Sequence, residues 1–177
     1  MLMALQKPTL STIAAFDATS AHTITFYVSG GDQVVKNKCI ITLGTSGTVV
    51  YEDTQTTFNL QHTIPANTLT NGQYYLLQIQ TLNSDNDTSP LSYPMPFYCY
   101  TTPTFEFSNL PTGNIIPNAS YIFQLGYNQA EGESLSSYII DVYSSGQNLI
   151  WSSGTIYVGS NGLPPTTFSA NVSRLYG

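Results

Sequence analysis

Residues 71–82 read NGQYYLLQIQTL. The opening Asn71-Gly72 accepts the positive φ that a tight turn demands. Beyond it the residues split by parity. Tyr74, Leu76, Gln78 and Gln80 form one set; Tyr75, Leu77, Ile79 and Thr81 form the other. Successive side chains of an extended chain point to opposite faces, so this split describes a strand with two unlike faces. A helix would repeat apolar residues at i, i+3, i+4 and i+7. No segment of this chain does so over three turns.

Short β-rich runs recur outward from this one. The first part of the chain predicts seven strands, at 9–15, 22–29, 37–44, 47–53, 56–62, 73–82 and 92–101. Gly30-Gly31-Asp32, Thr45-Ser46-Gly47 and Asn71-Gly72 supply turns between them. In the second run His22, Ile24, Phe26 and Val28 share a face that is expected to meet the core, while Thr23, Thr25 and Tyr27 face water. Pro94 and Pro96 lie in the seventh run. Proline donates no ladder hydrogen bond, so that strand is expected at a sheet edge or kinked. Many short strands with regular turn signals predict an antiparallel sandwich.

The plan recurs. PTLSTIAA at 8–15 and PTFEFSNL at 103–110 both open on Pro-Thr. Phe26-Tyr27-Val28, a glycine turn, CIITL and VVYE are echoed by Phe123-Gln124-Leu125, a Gly/Glu loop, YIIDVY and LIWSS. Two tandem domains are therefore expected, 8–102 and 103–177, after an N-terminal arm at 1–7. Leu69-Thr70-Asn71-Gly72 and Leu175-Tyr176-Gly177 take equivalent places in the alignment. The second copy then lacks two strands, so it reads as incomplete, with the chain expected to continue.

Composition narrows the function classes. Of 177 residues 41% are hydrophobic, enough for packed cores, and 8% are charged. Soluble domains commonly carry ~25% charged residues. The surface is instead built of Ser, Thr, Asn, Gln and Tyr, which suits adhesins and packed assemblies. The net charge is −6, with Lys7, Lys36, Lys38 and Arg174 as its cations. Nucleic-acid binding needs clustered positive charge to displace phosphate counterions, so neither nucleic acid nor an anionic membrane is expected as a partner. No run approaches the ~20 apolar residues of a membrane-spanning helix. The start, MLMALQKP, lacks the apolar core of a signal peptide, and Met3 is a second possible initiator. Export without such a signal implies release by lysis.

The stretch from Leu69 to Thr101 resembles the end of a fibronectin type III or related immunoglobulin-like domain. It has a turn ending in Gly72, a Tyr74-Tyr75 strand, a polar loop at Asn83–Asp87, Thr88-Ser89-Pro90 and a last strand. The resemblance covers 8–102 and part of 103–177. It departs at the early tryptophan, a role that would fall to Phe26, since Trp151 is the sole tryptophan and lies in the second copy. The opening ALQKPTLSTIAAFDATSAHTITFYVSGGDQVVKN, with YNQAEGE at 127–133, is similar to structural proteins of tailed bacteriophages of Gram-positive bacteria. That resemblance implies a virion component of tail, fibre or head decoration.

No residue is assigned as catalytic, cofactor-binding or metal-binding. His22 and His62 fall on separate runs without zinc spacing. Cys39 and Cys99 are expected on the third and seventh strands of one sheet, with the sixth between them. Two spacings of ~4.8 Å then separate the sulfurs by about 10 Å, too far for a disulfide, so both are expected as free thiols. Asp85, Asn86 and Asp87 read as turn chemistry rather than a calcium loop. Glu131 and Glu133 lie two apart on a loop, without the fixed separation and cleft of paired catalytic carboxylates. No G-x-S-x-G, G-x-G-x-x-G or phosphate loop occurs. Most of the thirteen tyrosines read as strand formers, with Tyr98 and Tyr100 placed to reach a neighbour. The sequons at Asn86, Asn118 and Asn171 carry no meaning in a phage of bacteria.

The expectation is a non-enzymatic virion protein whose sandwiches act as stalk or decoration and display a further domain. Its partners are other virion proteins and copies of itself, and host-surface glycan is a further candidate. Two alternatives stand beside it: a glycan-binding module of a bacterial surface protein, and the accessory region of a hydrolase whose catalytic domain lies past residue 177.

Overall fold

The structure, a computed structural model, describes residues 4–110, 113, 120–158 and 167–171. Every regular element among them is a strand, and every ladder is antiparallel. The chain divides into two compact units, Met1–Thr102 and Pro103–Gly177.

In the first unit β1 (Thr9–Leu10), β2 (His22–Tyr27) and β5 (Gln61–Ile64) form one sheet in the order β1-β2-β5. A second sheet has the order β4-β3-β6-β7, from β3 (Lys36–Leu43), β4 (Val49–Thr56), β6 (Gln73–Leu82) and β7 (Met95–Cys99). Immunoglobulin constant domains place their fourth strand beside the fifth. Here β4 pairs instead with β3 along Lys36–Thr42, giving three strands facing four.

The parity of 71–82 decides the core. Tyr75, Leu77, Ile79 and Thr81 are buried, and their alternates Tyr74, Leu76, Gln78 and Gln80 look outward. Opposite them Ile24 and Phe26 point inward from β2, with Val28 packed at the margin and Thr23, Thr25 and Tyr27 exposed. Phe26, 1% exposed, occupies the inter-sheet position that the family resemblance reserves for tryptophan. Burying a side chain of this size contributes about 1.5–3 kcal/mol. The Tyr75 hydroxyl accepts from the Thr70 amide at 3.0 Å and donates to the Thr70 carbonyl at 3.1 Å. This is the tyrosine corner of immunoglobulin-like sandwiches, which ties the sixth strand to the turn before it.

Several boundaries differ from expectation. The run 9–15 is a strand only at Thr9–Leu10. It then crosses to the other sheet, where Phe16 makes a parallel bridge to Cys99. The run 56–62 spans the end of β4, a bend at 58–60 and the start of β5, because Phe58 turns outward and Leu60 inward. β7 is an edge strand as its prolines require, but only Pro96 lies within it. The residues 4–7 are packed against the unit: Leu5 is buried and the Lys7 ammonium stands 4.2 Å over the Tyr93 ring.

The second unit repeats the first sheet as β8 (Thr104–Phe107), β9 (Ser120–Asn128) and β14 (Thr167–Asn171), in the order β14-β9-β8. In β2 the pairing passes from β1 to β5 between Phe26 and Thr25; in β9 it passes from β8 to β14 between Leu125 and Gln124. Leu125 therefore holds the position of Phe26, two residues from the match with Phe123. The face is unchanged because two is the strand period. The YIIDVY run is divided into β10 (Ser137–Tyr138) and β11 (Asp141–Tyr143). These pair with β13 (Ile156–Tyr157) and β12 (Leu149–Ser152) respectively, a broken copy of the β3–β4 ladder. Trp151 lies in β12, half-buried against Phe123, Leu125, Tyr138 and Ile140. The proposed equivalence of Leu175-Tyr176-Gly177 and the sequon at Asn118 lie outside the described residues.

Candidate interaction surfaces

The polar residues singled out in the sequence hold the molecule to itself. His62, on β5, is fully buried between the sheets. Its Nδ1 donates to Asn37 Oδ1 at 2.6 Å, and its Nε2 is hydrogen-bonded with the Tyr51 hydroxyl at 3.2 Å. Asn37 Nδ2 donates onward to the Gln61 carbonyl at 3.0 Å. Burial lowers the His62 pKa, opposed by Asp53 at 3.8 Å, and burial also pushes Tyr51 up to about 12. His22 is elsewhere, stacked on Phe16 with centroids 3.9 Å apart. The two imidazoles share no site.

Both cysteines are free and buried. They sit on β3 and β7 with β6 between, as expected. The spacing of about 10 Å is wrong, however, because it ignored register. Cys39 faces Ile79 whereas Cys99 faces Gln73, six residues further along β6. At ~3.4 Å per residue that adds roughly 20 Å. Burial raises the Cys39 thiol pKa and pushes Cys99 up to about 12, so neither is a ready thiolate.

The loop Asp85-Asn86-Asp87 is organised by Asn83. Its Oδ1 accepts from the Asp85 amide at 3.0 Å and the Asp87 amide at 2.9 Å. Its Nδ2 donates to Asp87 at 3.2 Å and to Asp32 at 3.1 Å. Asn86 adopts φ 65° and accepts from Lys36 at 2.7 Å. The AEGES loop repeats the device: Gln129 donates to Glu131 and accepts from the Glu133 amide at 2.8 Å. Sequence reasoning saw the carboxylates and missed the amides that gather them.

It also missed Asp17. Asp17 accepts from the Thr19 amide and Asn71 Nδ2, each at 2.9 Å, and from the Thr102 amide at 2.6 Å. Asn71 in turn accepts from the Ala18 amide at 2.9 Å and donates to Thr101 at 3.3 Å. The Asn71 amide first, then the Thr102 and Thr19 amides, hold the Asp17 carboxyl far below the usual range. The last residues of the first unit are thus clamped to its β1–β2 connection. Asp17-Ala18-Thr19 was a legible turn signal; its distant partners were not.

The surfaces left for partners are apolar or aromatic. Tyr27, Phe58 and Tyr93 stand out from the first unit, and Phe105, Phe107, Ile139 and Tyr157 from the second. Within the second unit Phe105, Phe107, Leu125, Tyr138, Ile140 and Asp141 line a groove of about 450 Å³. Tyr98 and Tyr100 are half-buried, with centroids 6.3 Å apart.

These features define an all-β protein of antiparallel sheets, an immunoglobulin-like sandwich with a second unit built on the same plan. No family model matches the sequence, and no curated protein matches it. Among solved structures it is similar to a myokine structure (TM-score 0.41, 13% identity, 55% of this chain and 97% of that one). It is also similar to a 1.5-MDa bacterial ice-binding adhesin studied for retention at the host cell surface (0.34, 15%, 99% and 55%). A third is the BSP domain of a biofilm-associated protein (0.34, 14%, 96% and 24%). The chain thus spans about half of that adhesin chain and a quarter of the biofilm protein. At these values nothing about partners or activity passes from those proteins to this one.

Proposed function

We propose that this chain is a non-enzymatic structural component of a tailed-bacteriophage particle. Its sandwich units act as stiff spacers, attached to other particle proteins and displaying a binding surface toward the host. The observation that carries the spacer role is the clamp on residues 101–102, which fixes where the chain leaves the first sandwich. The described carboxylates and imidazoles support the non-enzymatic reading, because His62, Asp17 and Asp87 are committed to hydrogen bonds within the fold. The particle assignment rests on the likeness of residues 4–37 and 127–133 to phage structural proteins. A surface with few charges also suits close packing between subunits.

Negative-stain imaging of purified particles labelled with an antibody to this chain tests the reading. Label at one fixed location on the particle is expected. Particles without label, with the antigen on the bacterial wall instead, would overturn it.

Exposed aromatics favour a second reading, adhesion to glycan, since an aromatic ring offers a flat apolar face to sugars. Lys7 covers one face of Tyr93 and leaves the other for stacking. Glycan-array binding that is lost in Tyr93→Ala supports this reading; an array without signal removes it.

A further inference from the structure

Two requirements of the fold meet at Asn71-Gly72, in the connection between β5 and β6. Gly72 stands at φ 78°, in the left-handed region that favours glycine. Asn71 must both accept and donate. Its Oδ1 takes the Ala18 amide at 2.9 Å, and its Nδ2 donates to Asp17 at 2.9 Å and to Thr101 at 3.3 Å. A side-chain amide meets that demand, because it carries an acceptor oxygen and two N–H donors in one group. The fold thereby installs the dipeptide in which an asparagine side chain is most open to attack by the next backbone nitrogen. Glycine puts no side chain in the way and restricts its own backbone least. In the closed unit that attack is blocked. Ring closure needs the Gly72 nitrogen to shed its proton and reach Asn71 Cγ. The Gly72 N–H is instead held by the Cys99 carbonyl at 2.7 Å, and the Asn71 amide is pinned at both its oxygen and its nitrogen.

We infer that Asn71 is a deamidation site that acts as a one-way latch: it stays intact while the clamp is closed, converts to an acid when the clamp opens, and then does not close again. In the open state the Gly72 nitrogen forms a bond to Asn71 Cγ, and its proton passes to solvent. The Cγ–Nδ2 bond breaks, and Nδ2 takes up a proton and leaves as ammonia. Water then adds to one carbonyl of the cyclic imide and opens it to aspartate or isoaspartate. The product has lost the donors that the clamp uses. An aspartate at this place carries an oxygen where Nδ2 stood, 2.9 Å from Asp17 Oδ1. Carboxylates only accept hydrogen bonds, and like charges at such a distance repel. Thr101 loses its tie to Asn71, and Asp17, which holds the Thr102 amide, loses its amide partner. A transient opening is thus recorded as a lasting release of the point where the chain leaves the first sandwich. The chemistry belongs to the chain itself and holds whether or not the chain is part of a particle.

The test holds the full chain in mildly alkaline buffer, either folded or unfolded in urea. Conversion at Asn71 is followed over time by mass spectrometry of chymotryptic peptides, which separate it from Asn161-Gly162, the other such pair in the sequence. Reaction through a rare open state is slowed by the fraction of time spent open, so the folded chain is expected to convert at least about tenfold more slowly than the unfolded one. Asp17→Ala removes the acceptor that pins Nδ2 and is expected to speed conversion in the folded chain. Asp17→Asn, which keeps the size and removes the charge, serves if Asp17→Ala does not fold. Asn71→Asp reproduces the product and is expected to lose hydrogen-exchange protection at the Ala18 and Thr102 amides while the β3–β6 ladder keeps its own. Three results overturn the inference. One is conversion at equal rates in the folded and unfolded chains, or none in the unfolded chain. Another is a folded Asp17 variant that converts no faster than the wild type. The third is Asn71→Asp with the Thr102 amide as protected as before. The wild-type comparison decides even where neither Asp17 variant folds.

Discussion

His62 has no surface in water, and both its ring nitrogens are hydrogen-bonded inside the fold, to Asn37 and Tyr51. Burial holds its pKa below the ordinary 6.5. The unfolded chain therefore binds a proton near pH 6.5 that the folded unit refuses. Stability is complete above that pH and falls as the pH drops through it. His22, also lowered by burial, acts in the same direction, while Asp53 opposes the effect at His62. Thermal unfolding at pH 7.5 and pH 5 is expected to show a lower midpoint in acid, with most of the difference absent in His62→Asn. Thr81 presents the opposite case. Its Oγ1 is buried without a hydrogen-bond partner. Exchanging it for a methyl removes a stranded polar atom at nearly constant shape, so Thr81→Val is expected to raise stability by roughly 1 kcal/mol in urea titrations. Parity announced that Thr81 would face inward; nothing in the sequence announced that its hydroxyl would find no partner there.

At the scale of elements, β6 was legible from end to end, and its neighbours were legible in order though not in extent. Beyond Leu77 its partner is an irregular segment containing Pro90 and Pro94. Two serines restore the lost donors and acceptors. The Ser92 amide donates to the Ile79 carbonyl at 2.8 Å, and Ser92 Oγ accepts from the Ile79 amide at 2.9 Å. Ser89 does the same for Thr81, at 2.9 and 3.0 Å. Ser92→Ala leaves the buried Ile79 amide unpaired and is expected to cost about 1–3 kcal/mol, read as a lower urea midpoint with unchanged slope. The turn after β3 holds a tighter contact. A Cβ on Gly44 would collide with the Tyr74 ring. Because Tyr74 is partly exposed the ring can swing out, so Gly44→Ala is expected to cost only about 1 kcal/mol, the low end for overpacking. The turn was readable from its glycines, but the ring laid across Gly44 was not, since it depends on which strands become neighbours.

Across the whole molecule the two units differ in how much core they close. The buried apolar cluster of the first unites both sheets and includes Phe26, Ile41, Leu77, Ile79 and Phe97. That of the second, among the described residues, comprises Phe123, Leu125, Tyr138 and Ile140. Buried apolar area is the principal favourable term in folding. Urea unfolding followed by Trp151 fluorescence, which reports the second unit, is expected to show an earlier midpoint than far-ultraviolet circular dichroism, which both units dominate. Coincident transitions would mean that the units fold as one.

The sequence by itself determined the strand class, the inward and outward faces, the edge position of β7 and the tandem plan. Each follows from short-range rules: the period of two, proline's missing donor and the turn residues. Only the tertiary structure decided register, and register decided the rest. It set the cysteines six residues further apart, gave β4 to the sheet of β3, brought Asp17 to Asn71 and Thr102, and placed Phe105 and Phe107 beside an open groove. Those outcomes depend on which distant backbone groups pair, and a strand's own residues encode its faces far more strongly than its partners.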